Sequence, residues 1–133
     1  MRQFYTRVRR AAMALALGTA AGTLAANAPT GALALPGNPA NGARLYQACM
    51  GCHSLDENDV GPKHRGVVGR RAGSVADYAY SPALRTSGIV WTPAMIDRWL
   101  QGPQKLVPGA KMYFSVAKPQ DRADSIAFLA QQK

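Results

Sequence analysis

Both cysteines of this 133-residue chain, and one of its two histidines, stand in the pentapeptide Cys49-Met50-Gly51-Cys52-His53. Two thiols separated by two residues, followed at once by an imidazole, read as a covalent c-type haem attachment site. The thiols of Cys49 and Cys52 can add to the two haem vinyl groups and form thioethers. His53 is then held under the iron as its proximal ligand. Other chemistries use parts of this pattern. A zinc site needs about four N, S or O ligands, but the chain has no second cysteine pair and only His64 remains to help. A thioredoxin-like pair would open a long helix, whereas the stretch from Ser54 to Pro62 is polar and turn-forming. A Cys49–Cys52 disulfide would close too small a loop to stabilise much.

A distal ligand is the second site to find. Met112, in Pro108-Gly109-Ala110-Lys111-Met112, lies 59 residues after His53, enough chain to wrap round the ring to its other face. The Pro-Gly pair gives a turn that presents the thioether inward. A thioether opposite an imidazole favours ferrous iron and closes the sixth position to substrates. Any lone methionine is also good core filler, so the residue type alone leaves both readings of Met112 open. Met50 lies inside the attachment motif and cannot cross the ring, and Met95 stands four residues before Trp99, the spacing of core on a helix. His64 is a ligand in principle, but it follows His53 by only eleven residues, on the same side.

These residues need elements to position them. The pattern predicts three helical segments separated by long loops. The first runs from about Pro39 to Cys49, with Leu45 and Tyr46 on an apolar face and the haem site at its C-terminal end. The second has Thr92 as N-cap and Pro93 at its first position; Met95, Ile96, Trp99 and Leu100 form its apolar face, and Gly102-Pro103 ends it. The third spans about Gln120 to Gln132, with a stripe of Ala123, Ile126, Ala127 and Ala130 broadened by Phe128 and Leu129. Strands have little support. Loops this long are unusual in a small domain unless something central organises them, and a bound haem would do so while supplying apolar core that a short chain lacks.

The N-terminal third is different in kind. Arg2, Arg7, Arg9 and Arg10 precede an apolar, alanine-rich run from Ala11 to Ala26, a secretory signal pattern. The run is short and weak for a membrane span. Ala32-Leu33-Ala34 is the preferred cleavage site over Ala26-Asn27-Ala28, so the expected organisation is a signal peptide over residues 1–34 and one domain over 35–133. An uncleaved segment would instead be an N-terminal anchor. The first 34 residues carry four arginines and no acid, so without them 12 basic residues face 7 acidic ones, a net charge of +5 in place of +9. Such a surface suits steering to acidic partners. Nucleic-acid binding is excluded as a reading, because no basic run with interleaved aromatics appears.

In order along the chain come Cys49-x-x-Cys52-His53, Gly61-Pro62, Gly66-Val67-Val68-Gly69-Arg70, Tyr80, Gly88-Ile89-x-Trp91, Pro108-Gly109-x-Lys111-Met112 and Ile126-Ala127-Phe128-Leu129. From Gly42 to Gln131 this series resembles the class I c-type cytochromes, the family of mitochondrial cytochrome c and small bacterial soluble cytochromes c. The resemblance implies an all-α fold, with about three main helices and long loops wrapped round one covalently bound haem c. It implies Met112 as axial ligand, the Pro62 carbonyl as acceptor for His53 Nδ1, Arg70, Tyr80 and Trp91 around the propionates, and Phe114 beside the exposed haem edge. The chain departs from the mitochondrial pattern at several positions. Ala110 stands for a threonine, Leu84 for an asparagine, Trp99 for a tyrosine near the methionine sulfur, His64 for a leucine that packs on the haem, and Ser125 for an apolar residue between first and last helices. That last contact is then expected to rest on Tyr46 and Phe128.

The function implied is a periplasmic, monomeric, monohaem electron carrier, not an enzyme, with His53 and Met112 on the iron in both oxidation states. It would take one electron from a respiratory or dehydrogenase donor and pass it to a terminal acceptor, docking on acidic partner surfaces through Lys105, Lys111, Lys118 and Arg65. Two other classes stay open: a haem subunit held in a larger redox complex, and a haem peroxidase or gas sensor with an open sixth site.

Overall fold

A computed structural model describes residues 35–133, so the expected signal segment, residues 1–34, lies outside the described residues. Within 35–133 the chain forms five α-helices: α1 (Pro39–Leu45), α2 (Pro82–Arg85), α3 (Pro93–Gln101), α4 (Pro103–Leu106) and α5 (Pro119–Gln131). A 3₁₀ turn, Tyr46–Ala48, continues α1. The only β-type pairing among these residues is a single bridge between Arg71 and Val90.

Proline at the first helical position recurs in all five helices, where its missing N–H costs nothing. For α3 the expected cap is present, since Thr92 Oγ1 accepts from Met95 N at 3.2 Å, and Gly102 ends the helix. The same signature at Ser81-Pro82, with Ser81 Oγ accepting from Leu84 N at 3.2 Å, starts the unpredicted α2. A second unpredicted helix, α4, follows Gly102 directly through Pro103, whose side chain is fully buried. The first helix is shorter than its predicted run to Cys49: it ends at Leu45 and tightens into the 3₁₀ turn, a common way to finish a helix.

The first and last helices pack chiefly on one another. Gly42 permits it, because a Cβ there would meet the Asp124 carbonyl and the Phe128 Cβ. Tyr46 and Phe128 do meet as expected, ring centroids 5.0 Å apart. The apolar stripe predicted for α5 is only partly the buried one. Ile126 and Leu129 are buried, but so are Arg122, Asp124 and Ser125, while Ala123, Ala127 and Ala130 are only partly covered. Each polar group is satisfied. Asp124 accepts from Asn38 N (2.7 Å), Asn41 Nδ2 (2.6 Å) and Gln120 Nε2 (2.8 Å). Ser125 donates back to the Asp121 carbonyl (2.8 Å). Arg122 pairs with Asp97 (2.7 Å) and donates to the carbonyls of Val116 and Ala117.

Candidate functional site

One cleft of about 280 Å³ gathers the four residues picked out by motif and turn: Cys49, Cys52, His53 and Met112 all line it. Its remaining walls are mostly apolar, with Trp91, Trp99, Leu100 and Leu129 from the core and Phe114 and Val60 from the exposed rim. Both thiols are free, Cys49 half-buried and Cys52 exposed. Burial pushes the Cys49 thiol up, as does the nearby Cys52.

The 3₁₀ turn delivers the pentapeptide to the cleft. His53 N donates to the Cys49 carbonyl (2.9 Å) and Cys52 N to the same oxygen (3.0 Å), so the motif is itself a tight turn that brings both cysteines and the imidazole together. His53 Nδ1 lies 2.7 Å from the Pro62 carbonyl. That contact assigns the proton to Nδ1 and leaves Nε2 with its lone pair, the form a metal ligand requires. Burial holds the His53 pKa below its ordinary value, against the raising effects of Pro62 and Asp59. Gly61 matters sterically here: a Cβ would run into the His53 ring.

Met112 is presented by the turn Val107–Ala110, closed by Ala110 N on the Val107 carbonyl at 3.1 Å, with Gly109 at φ +87°. Trp99 Nε1 donates to Met112 Sδ at 3.2 Å, so the tryptophan that departs from the mitochondrial pattern still reaches the sulfur. Lys111 Nζ donates to the Ala79 carbonyl at 2.6 Å and ties this segment to the loop before Tyr80.

The remaining sequence candidates fall as follows. Tyr80 and Trp91 are buried and line the cleft, and Trp91 packs edge-on against Trp99 at 5.2 Å. Arg70 also lines the cleft, with its guanidinium bonded to the carbonyls of Lys63 (2.7 Å) and Arg65 (2.9 Å). His64 stacks on His53 with ring centroids 3.9 Å apart, and Tyr46 Oη lies 3.1 Å from His64 Nδ1. Burial, then the His53 and Arg70 charges, brings the His64 pKa down to about 3, so the ring is neutral at physiological pH. Of the basic residues expected at a docking surface, Arg65 is paired with Asp56, while Lys105 and Lys118 are exposed. Sequence reasoning missed Gln104, which bonds the turn before Met112; nothing in its spacing marks it.

An apolar cleft lined by two thiols, an imidazole whose Nε2 keeps its lone pair and a thioether fits a large apolar macrocycle anchored by thioethers and ligated by N and S. The cytochrome c family model matches residues 39–133. Cytochrome c2 of Rhodopila globiformis is 47% identical over 98 residues, covering 71% of this chain and 92% of that protein. Cytochrome c2 of Rhodomicrobium vannielii is 43% identical over 100 residues, covering 72% of this chain and 80% of that protein. Among solved structures, cytochrome cH from Methylobacterium extorquens superposes with a TM-score of 0.68 at 43% identity, covering 71% of this chain and 98% of that chain.

Proposed function

The chain belongs to the cytochrome c family, whose members carry covalently attached haem c, and from that premise we propose that it is a periplasmic electron carrier. Cys49 and Cys52 would hold the haem through two thioethers, and His53 and Met112 would ligate its iron. The observation that carries this reading is the single cleft in which those four side chains meet, with His53 Nδ1 already engaged by Pro62. When bound, the haem supplies a one-electron couple at its iron.

The chain's own residues govern how that couple works. The Pro62 carbonyl fixes the tautomer of His53 and makes its Nε2 a stronger donor. Trp99 donates to the Met112 sulfur and holds it in one orientation. With both side chains restrained in this way, little would rearrange when the charge on a bound haem changes. Phe114 (48% exposed) and Val60 (71%) at the rim of the cleft offer an apolar contact there. No substrate bond is made or broken, since Met112 as ligand would take the position a substrate would need. Arg70, Tyr80 and Trp91, which line the cleft, would surround the propionates and offset the cost of enclosing their charge.

Export follows from the N-terminal segment: residues 1–34 are removed, and the domain from residue 35 is released. Among the described residues no helix is long and apolar enough to cross a membrane. The test is the mass of the protein recovered from the periplasm of a host that matures c-type cytochromes. The expected mass is that of a chain starting at Leu35 plus one haem. A mass without haem, or a full-length chain held in the membrane, contradicts the reading.

A further inference from the structure

The turn that carries Met112 has a weak side-chain inventory of its own, since Ala110 offers neither donor nor acceptor. It is held from outside. Gln104, half-buried on α4, donates through Nε2 to the carbonyls of Ala110 (2.6 Å) and Met112 (2.9 Å) and accepts at Oε1 from Gly109 N (3.3 Å). A primary amide can do this because it has both donors and an acceptor. Its platform is firm: Pro103, the preceding residue, is fully buried, and the helix closes with Val107 N on the Pro103 carbonyl at 2.8 Å.

We propose that Gln104 is the positioning residue that keeps Met112 in place and so keeps the sixth coordination position closed. The proposal rests on Met112 being the axial ligand. The amide brackets the ligand's own carbonyl and that of the residue two before it, so the segment can swing away only by breaking these bonds together. Loss of the side chain raises the fraction of time the segment is open.

The test uses cyanide binding to the ferric holoprotein, since cyanide can bind only when Met112 has left. Gln104→Leu, which removes all three bonds, is expected to bind cyanide about tenfold faster or more, the effect of losing two or more hydrogen bonds. It should also weaken the sulfur-to-iron charge-transfer band. Gln104→Lys keeps a donor for the two carbonyls and is expected to stay nearer the wild-type rate. Asn41→Ala breaks a bond between α1 and α5, far from this turn in the chain, and should leave the rate within about twofold. Unchanged cyanide binding in Gln104→Leu, or an equal acceleration in Asn41→Ala, overturns the proposal while leaving the ligand assignment intact. A wild type that binds cyanide as fast as Met112→Ala overturns both.

Discussion

His64 shows how one substitution within a family pattern is absorbed. A ring that stacks on His53 and bonds Tyr46 replaces an aliphatic side chain, and the buried Tyr46 hydroxyl gains its partner from it. Burial, together with the nearby Cys49 and Asp56, pushes the Tyr46 pKa up to about 12, so the hydroxyl stays protonated and can donate. His64→Leu therefore strands a buried donor and is expected to cost about 1–3 kcal/mol in holoprotein stability. Tyr46→Phe in the same background should restore most of that loss, a coupling read from a double-mutant cycle by denaturant unfolding. Additive losses would show that the two groups do not depend on one another. At this scale the sequence singled out the pentapeptide and Met112, and the structure brings them to one cleft. The sequence could not reveal the stacking of His64 or the reach of Gln104, because both depend on how the intervening turns fold back, which residue type and spacing do not set.

Helix boundaries were legible where capping chemistry is local. Thr92-Pro93 and Gly102-Pro103 mark α3 by residue type alone, and Ser81-Pro82 carries the same signal for α2. The buried face of α5 was not legible, because Arg122, Asp124 and Ser125 are buried through bonds to other segments, and an apolar stripe does not register them. Two outcomes test the α1 to α5 contact. Gly42→Ala forces a Cβ against the Asp124 carbonyl and should destabilise by about 1–3 kcal/mol. Thermal unfolding of the holoprotein decides it, and an unchanged midpoint would contradict the close approach. The second outcome is pH dependence. The amides of Asn38, then Asn41 and Gln120, hold the Asp124 pKa below its ordinary value. Its contribution is therefore present above the unfolded carboxylate's pKa and is lost as pH falls through the lower folded value. Wild type should exceed Asp124→Asn in stability at neutral pH, with the gap closing in acid. A gap independent of pH would sink this account of the contact.

At the scale of the molecule, the loops are ordered round the cleft. Three of the four proposed haem-binding residues come from one tight turn, and the fourth from a segment tied to α3 by Trp99 and Val116, to α4 by Gln104 and to α5 by Arg122. The colinear family pattern made this architecture legible in the sequence; the ties between segments were not. The basic balance of residues 35–133 predicts that electron exchange with an acidic partner slows as ionic strength rises. Stopped-flow rates over a salt series check this, and a flat dependence would remove electrostatic docking from the account.

The central claim is a closed six-coordinate haem held by His53 and Met112. Its most direct test is the absorption spectrum of the purified holoprotein, wild type beside Met112→Ala, with carbon monoxide added to the ferrous forms. The account predicts a low-spin ferric wild type that resists carbon monoxide, and a Met112→Ala variant that is high-spin and binds it rapidly. A wild type that is already high-spin and takes up carbon monoxide as fast as the variant would contradict it.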